Sequence, residues 1–531
     1  MKPLLLLSFL LSGLSALVYE VVWTRALSLV LGSTVYSLST MLATFMLGLA
    51  VGSFLGGRLA DRSRNLFLIY GISEAFIGLS GLISIPLIYN LPPLFFKLYQ
   101  LLRLNPPAFF VSQFFIAGLV MLLPTVLMGV TFPVVSRLLT GELRSLGRSV
   151  GNAYSFNTAG AILGSVLGGF LLIPELGLKG ACLFAGIINL LVGITFIIIS
   201  GRKRLLPGLC LSFVFLLYPF FKTQPKDYFA TFYMAERFSD LEELRKAEAS
   251  YTVLFEKDHA QGFVRALRDE GGFLVLQHGG KMEGTGLPDS PNTLFLASLP
   301  VEALSRRPER LLVIGLGAGI TCWQAKALSD HVEVVEINPA VIEVVERFGY
   351  PDTLTGVELH RGDARQYLLY RDERYDIITS EPSVPSEAMS ANLFTLEFYL
   401  LARERLKQDG VMAQWVPGWA LKRDQVRSCI KTFAKVFPYV YVYKVKASKD
   451  FILLGSLQPL RKVLKTGVFI PDPLPPVFNE MKKIGDIRPL FEIELVRDAE
   501  SVKEIIAMED IPLITDDRPL IEFWTTRNFL E

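Results

Sequence analysis

The chain has 531 residues, 51% of them hydrophobic and 20% charged, with a mean hydropathy of +0.41. Residues 1–221 hold 14 Lys/Arg and 5 Asp/Glu, whereas residues 222–531 hold 39 and 46, so a basic, apolar part precedes an acidic part of ordinary charge content. A wholly soluble enzyme and a pure membrane channel are both excluded. The acidic part also argues against nucleic acid as a partner, because nucleic acid selects basic surfaces.

Crossing a bilayer takes roughly 20 apolar residues. Candidate spans in chain order are 4–22, 33–57, 66–90, 109–138, 150–173, 180–199 and 205–221. The first reads as a membrane helix rather than a signal peptide, since no small-residue cleavage site ends it. Segment 109–138 contains Pro124 and Pro133 and is expected to tilt or kink. Glycines recur every four residues at Gly48-Gly52-Gly56 and Gly160-Gly164-Gly168, the spacing of close helix packing. Glu20, Arg25, Glu74, Asn152 and Asn157 lie within or beside apolar runs; such groups are costly in lipid and often functional, with internal pairing or interfacial placement as the alternative. Lys2, Arg58/Arg62/Arg64, Arg137/Arg144/Arg148 and Arg202/Lys203/Arg204 mark the cytoplasmic side. Segment 205–221 has 17 residues and two prolines, about 26 Å as a helix against roughly 30 Å of hydrocarbon. It is therefore expected not to complete a crossing. That leaves six spans in a multi-pass α-helical bundle (1–221) in the cell membrane, with the globular part in the cytoplasm.

Residues 222–249 read as a charge-rich connector, and 250–300 as a small antiparallel β subdomain with strands at 251–255, 262–267 and 273–277. Strands and helices then alternate: strand 311–315, helix 320–328, strand 332–337, helix 339–348, strand 357–360, helix 364–369, strand 375–380, helix 396–406 and strand 410–415. This predicts a Rossmann-like, class I methyltransferase-type, doubly wound α/β sheet over 301–456, with a C-terminal extension at 457–531. Ligands of such sheets sit beyond the carboxyl ends of the strands, where this chain places Gly315-Leu-Gly317-Ala-Gly319, Glu336, Gly362-Asp363-Ala364 and Ser380-Glu381-Pro-Ser383. Glycines allow a tight turn and close approach of backbone to ligand, and an acid about 20 residues on suits ribose hydroxyls. Asp363 alone also reads as a helix N-cap. The turn lacks the Gly-x-Gly-x-x-Gly of pyrophosphate sites and the Gly-Lys-Ser/Thr of ATP sites, which favours an adenosyl ligand without phosphates. Four cysteines (182, 210, 322, 429) lie far apart, and His259, His278, His331 and His360 are scattered, so no disulfide framework and no metal site are expected.

Two resemblances follow from these motifs. Gly56–Arg62 resembles the short basic loop between the second and third helices of major-facilitator transporters. More extensively, residues 311–319, Val334-Val-Glu336-Ile337-Asn338, Gly362-Asp363 and Tyr375–Pro385 resemble the spermidine synthase (aminopropyltransferase) family in order and spacing. Tyr19–Arg25, Asn157–Gly164, Leu393–Thr395, Gln414-Trp415 and Thr515–Pro519 extend the resemblance to its membrane-fused branch, across nearly the full length. The resemblance implies aminopropyl transfer from decarboxylated S-adenosylmethionine to a polyamine or other amine, with no metal. It implies Gly315, Gly317, Gly319, Glu336, Ile337, Asp363 and Ala364 as donor-binding, Glu381 as catalytic, and Ser380, Ser383, Gln414 and Trp415 as substrate-binding, Trp415 being either a stacking wall or core. Asp516 and Asp517 read as turn formers or as a border of the substrate mouth.

The chain departs from the family where Ala318 replaces the donor-amine aspartate, Val384 replaces a second acid, and Asn292-Thr293 replace a Tyr-Gln pair. Two further readings therefore stay open. One is methyl transfer from intact S-adenosylmethionine; the other is a non-enzymatic, transporter-like sensor of polyamines or nucleosides. The expected partners are an adenosyl sulfonium donor, an amine or polyamine acceptor and the lipid bilayer, with a homo-oligomer left open.

Overall fold

Long apolar runs with few charges fold as helices throughout the first part of the chain: α1 (Lys2–Leu31), α2 (Val35–Arg62), α3 (Leu66–Tyr89), α4 (Pro92–Leu102), α5 (Pro106–Leu139), α6 (Leu146–Leu167), α7 (Ile173–Ile199) and α8 (Leu206–Lys222), followed by α9 (Leu241–Ala249). The computed structural model describes residues 1–140, 146–224, 235, 238–259, 262–279, 281–283, 290–383, 385–463, 466–484 and 486–528. Val384 and residues 225–234 and 236–237 of the connector lie outside the described residues. The chain divides into two units, Met1–Glu248 and Ala249–Glu531.

In the first unit, six helical runs among the described residues are long and apolar enough, by length and composition, to cross a membrane: Lys2–Leu31, Val35–Arg62, Leu66–Tyr89, Pro106–Leu139, Leu146–Ile199 and Lys203–Lys222. The fifth holds 54 residues, about 80 Å if straight, and is not one rod. A π turn at Gly168–Leu172 and Gly177 at φ +68° break it, so that α6 packs on α1 and α7 on α3. The glycine spacing marks two seams. A Cβ on Gly160 or Gly164 would run into the α1 backbone at Leu10 and Leu14, and one on Gly52 into α5 at Val126 and Gly129. Gly168 has ordinary contacts only. Glu74 is fully buried and accepts from Asn189 Nδ2 at 2.6 Å, Asn157 Nδ2 donates to the Phe9 carbonyl at 3.1 Å, and Asn152 is exposed.

One expectation for this unit changes. Gly56–Arg62 is not a loop: α2 runs through it to Arg62, and only residues 63–65 make the turn. The segment 205–221 lies within a helical run, Lys203–Lys222, whose three further residues, Lys203, Arg204 and Lys222, are all charged. Near its start, the Ser200 carbonyl accepts from Asn65 Nδ2 at 3.3 Å; just past its end, the Thr223 carbonyl accepts from Lys179 Nζ at 2.6 Å, where α7 begins its buried stretch.

In the second unit, β1 (Thr252–His259), β2 (Gly262–Arg268), β3 (Leu274–His278) and β4 (Lys281–Glu283) form an antiparallel sheet in chain order. The large sheet comprises β5 (Arg310–Ile314), β6 (His331–Glu336), β7 (Glu358–Arg361), β8 (Tyr375–Ser380), β9 (Leu406–Val416), β10 (Tyr439–Val445), β11 (Phe451–Ser456), β12 (Thr466–Val468) and β13 (Glu492–Arg497), in the order β12-β13-β10-β11-β9-β8-β5-β6-β7. Strands β5 to β9 are parallel, and β10 to β13 extend the sheet through antiparallel pairs. Residues 457–531 are thus no separate extension, since they supply β12 and β13. Helices α10 (Ser290–Leu304), α11 (Ile320–Leu328), α12 (Pro339–Phe348) and α13 (Ala364–Tyr370) flank the parallel strands. Both faces of these strands are covered, which explains why Leu311–Ile314 and Tyr375–Ser380 are buried without alternation. Strand order reverses at β5, with β6 and β7 on one side and β8 and β9 on the other, so a switch-point crevice opens above β5 and β8.

Candidate active site

The turn after β5 forms because glycine occupies left-handed backbone at Gly315 (φ +86°), Gly317 (+51°) and Gly319 (+83°). The three have different duties. Gly315 lies under the switch point, where a Cβ would press on the Glu381 carbonyl at 3.2 Å, and Gly315 and Gly317 line the crevice. Gly319 does not line it. It caps α11, and a Cβ there would meet Val345 and Thr353, so its role is packing. Ala318 lines a separate cavity with Arg268, Tyr350 and Pro476.

The three strand-end acids meet in one crevice of about 870 Å³, together with Ile337, Ala364 and Ser383. Glu336, 7% exposed, accepts from Leu316 N–H at 2.9 Å and Asn338 N–H at 2.7 Å, one on each oxygen, which ties the glycine turn to the end of β6. Asp363 caps α13 through Gln366 N–H at 2.9 Å, as the helix-cap reading has it, and also borders the crevice. Glu381 Oε2 accepts from the Thr321 hydroxyl at 3.2 Å, and that hydroxyl also lies 3.0 Å from the Thr293 carbonyl. Asn292, beside Thr293, donates to Asp450 at 2.7 Å. The Asn292-Thr293 pair thus buttresses the site from behind.

Ser380, Gln414 and Trp415 are not among the residues lining this crevice. Ser380 and Gln414 are paired in register on β8 and β9 and fully buried, and Trp415 belongs to the hydrophobic core. The reason is geometric: they sit within strands or beside them, whereas the lining starts one residue later, at Glu381. Ser380 Oγ, Gln414 Oε1 and Trp415 Nε1 are nevertheless buried without hydrogen bonds. Asp516 takes a bidentate bond from Arg365, at 2.7 and 2.6 Å, and that guanidinium holds its carboxyl below the usual range. Its turn is closed by the Thr515–Arg518 bridge.

Sequence reasoning missed the far wall. Leu276 and His278 reach the crevice from β3, and Glu387, Met389, Ser390 and Leu393 close it beyond Ser383. Lys281 on β4, almost wholly buried, donates to Ser383 Oγ and lies 3.4 Å from Glu387. No local pattern announces Leu276, His278 and Lys281, because they arrive through packing of the small sheet. Cys322 on α11 is buried, which pushes its thiol up to about 12 and leaves it unsuited as a nucleophile.

Residues 293–448 match the spermine/spermidine synthase domain family. The chain is 23% identical over 462 residues to polyamine aminopropyltransferase 2 of Aquifex aeolicus, covering 85% of this chain and 87% of that one. It is 25% identical over 441 residues to polyamine aminopropyltransferase 1 of Streptomyces coelicolor, covering 77% and 75%. Spermidine synthase from Thermotoga maritima aligns structurally at 20% identity, over 49% of this chain and 85% of that one, with a TM-score of 0.34. Residues 293–448 thus match the spermine/spermidine synthase domain, a helical region with six candidate membrane runs among the described residues precedes them, and the chain is similar to polyamine aminopropyltransferases.

Proposed function

We propose that the protein is a membrane-bound transferase of the polyamine aminopropyltransferase type, moving an aminopropyl group from decarboxylated S-adenosylmethionine to an amine. The observation that carries this reading is the meeting of Glu336, Asp363 and Glu381 around the Gly315–Gly317 turn. A sulfonium donor and an ammonium acceptor both suit such a crevice electrostatically. In this reading Glu336 takes the ribose hydroxyls and Asp363 the adenine side. Glu381, oriented by Thr321, takes the proton from the acceptor nitrogen. The nitrogen lone pair attacks the methylene carbon on sulfur, the carbon–sulfur bond breaks with its electrons going to sulfur, and a neutral thioether nucleoside leaves. Ser383 is the nearer substrate contact, and the unbonded polar atoms of Ser380, Gln414 and Trp415 are candidates for a second layer.

Methyl transfer is the second reading, favoured by Ala318, which stands where the family has the aspartate that holds the donor's amine. Incubating the purified full chain with each donor and a panel of polyamines separates the readings. Methylthioadenosine from the decarboxylated donor supports the first and S-adenosylhomocysteine the second; donor binding without either product would point to a sensor.

The compartment is also a proposal. The course of α8 takes the chain away from the end that bears Arg62, Arg137 and Arg202, which favours a domain outside the cytoplasm, opposite to the expectation from sequence. A reporter fused after Glu531 and active only in the cytoplasm would overturn this by being active.

A further inference from the structure

Away from the crevice, β6 opens with His331-Val-Glu333 and β7 with Glu358-Leu-His360. Side chains two apart on a strand share a face, and the strands pair in parallel with Glu333 opposite Glu358 and Val335 opposite His360. All four groups therefore stand on one face of the sheet. Glu333 precedes Glu336 by three residues, so it points to the opposite face, about 10 Å back along the strand from the crevice.

The distances have the scale of a coordination shell. His331 Nε2 lies 3.3 Å from Glu358 Oε2 and 3.5 Å from Glu333 Oε1, and the donor atoms of these three residues all lie within 4.8 Å of one another. A tetrahedron with the 2.0–2.1 Å bonds of Zn²⁺ has edges of about 3.3–3.4 Å. Glu333, 2% exposed, is held in place: Tyr367 and Tyr375 hydroxyls donate to Oε2 at 2.6 and 2.8 Å, and Arg310 donates to Oε1. Such outer partners orient a metal-binding carboxylate. His360 Nε2 lies 3.1 Å from Glu358 Oε1 and 3.9 Å from Glu333 Oε2, yet is buried without making a hydrogen bond.

We propose that His331, Glu333 and Glu358 form a divalent-metal site suited to Zn²⁺, with His360 as the neighbouring nitrogen. Its place argues for a structural role. β7 is the edge of the nine-stranded sheet and only four residues long, and its far end leads into Gly362-Asp363. A metal joining the starts of β6 and β7 would fasten that edge. Arg310 on Glu333 opposes a second cation, so His331 and Glu358 carry most of the affinity.

The test titrates metal-stripped full chain with Zn²⁺ by calorimetry, and with Co²⁺ by its visible absorption. The expected result is one equivalent bound, a tetrahedral cobalt spectrum, and a higher thermal unfolding temperature with Zn²⁺. The double variant His331→Ala/Glu358→Gln changes two side chains that are 40% and 45% exposed. It should lose about tenfold or more in affinity and the thermal shift, while still binding methylthioadenosine, which reports its folding. His331→Gln supplies a milder variant should the double one misfold. Equal zinc affinity in wild type and variants, or no binding by wild type, would overturn the site and leave an ion-pair network.

Discussion

The two ends of the same parallel strands treat their carboxylates differently. At the amino ends, Asp376 accepts from Arg306 at 2.6 Å, Lys407 at 3.0 Å and the Glu309 and Arg310 N–H groups at 3.0 and 2.9 Å, and Glu333 is held by Arg310 and two tyrosines. At the carboxyl ends, Glu336 and Asp363 are positioned by backbone N–H groups and Glu381 by a threonine hydroxyl. Cationic partners neutralise an acid and turn it into a strut. Neutral donors fix its direction. The contrast separates acids that hold the sheet together from acids that line the crevice.

Substitutions sharpen that contrast. Glu381→Gln should lower turnover about a thousandfold while methylthioadenosine affinity, read by calorimetry, stays near wild type; unchanged turnover would remove Glu381 from the mechanism. Asp376→Asn should leave nucleoside affinity alone and destabilise the domain by about 3 kcal/mol, the low end for a broken buried pair because Arg306 and Lys407 reach solvent. Its thermal transition is the measurement. Glu336→Gln should weaken methylthioadenosine binding about tenfold, roughly 1.4 kcal/mol, with little change in kcat.

The smallest effect is graded with pH. Burial alone would raise Asp376 and Glu333, but their hydrogen bonds and cations outweigh it and hold both below the usual range. A carboxyl with a lowered folded pKa stabilises above its unfolded value, near 4, and loses that contribution as pH falls through the folded value. Thermal stability should therefore drop progressively below about pH 4, less steeply in Asp376→Asn.

Much of the parallel sheet was legible because each strand is a short apolar run closed by glycine or a helix cap. Helices 320–328 and 339–348 and strand 375–380 lie where the pattern puts them. The same alternation put Glu336, Asp363 and Glu381 on one edge. It did not say which neighbours of an edge residue look outward: Ser380 and Gln414 face inward, and Gly319 serves packing. β10 to β13 escaped because their partners follow no alternation. Leu276, His278 and Lys281 were invisible because a separate sheet delivers them. His331 and Glu358, far apart in sequence, come within 3.3 Å only through the register of β6 on β7, although His-x-Glu and Glu-x-His are plain in hindsight.

Lys281 has a mechanical consequence. One ammonium on the small sheet grips Ser383 and approaches Glu387, both on the segment that follows Glu381. The small sheet and that segment are latched, so a ligand entering the crevice has to move them as one piece or unfasten the lysine first.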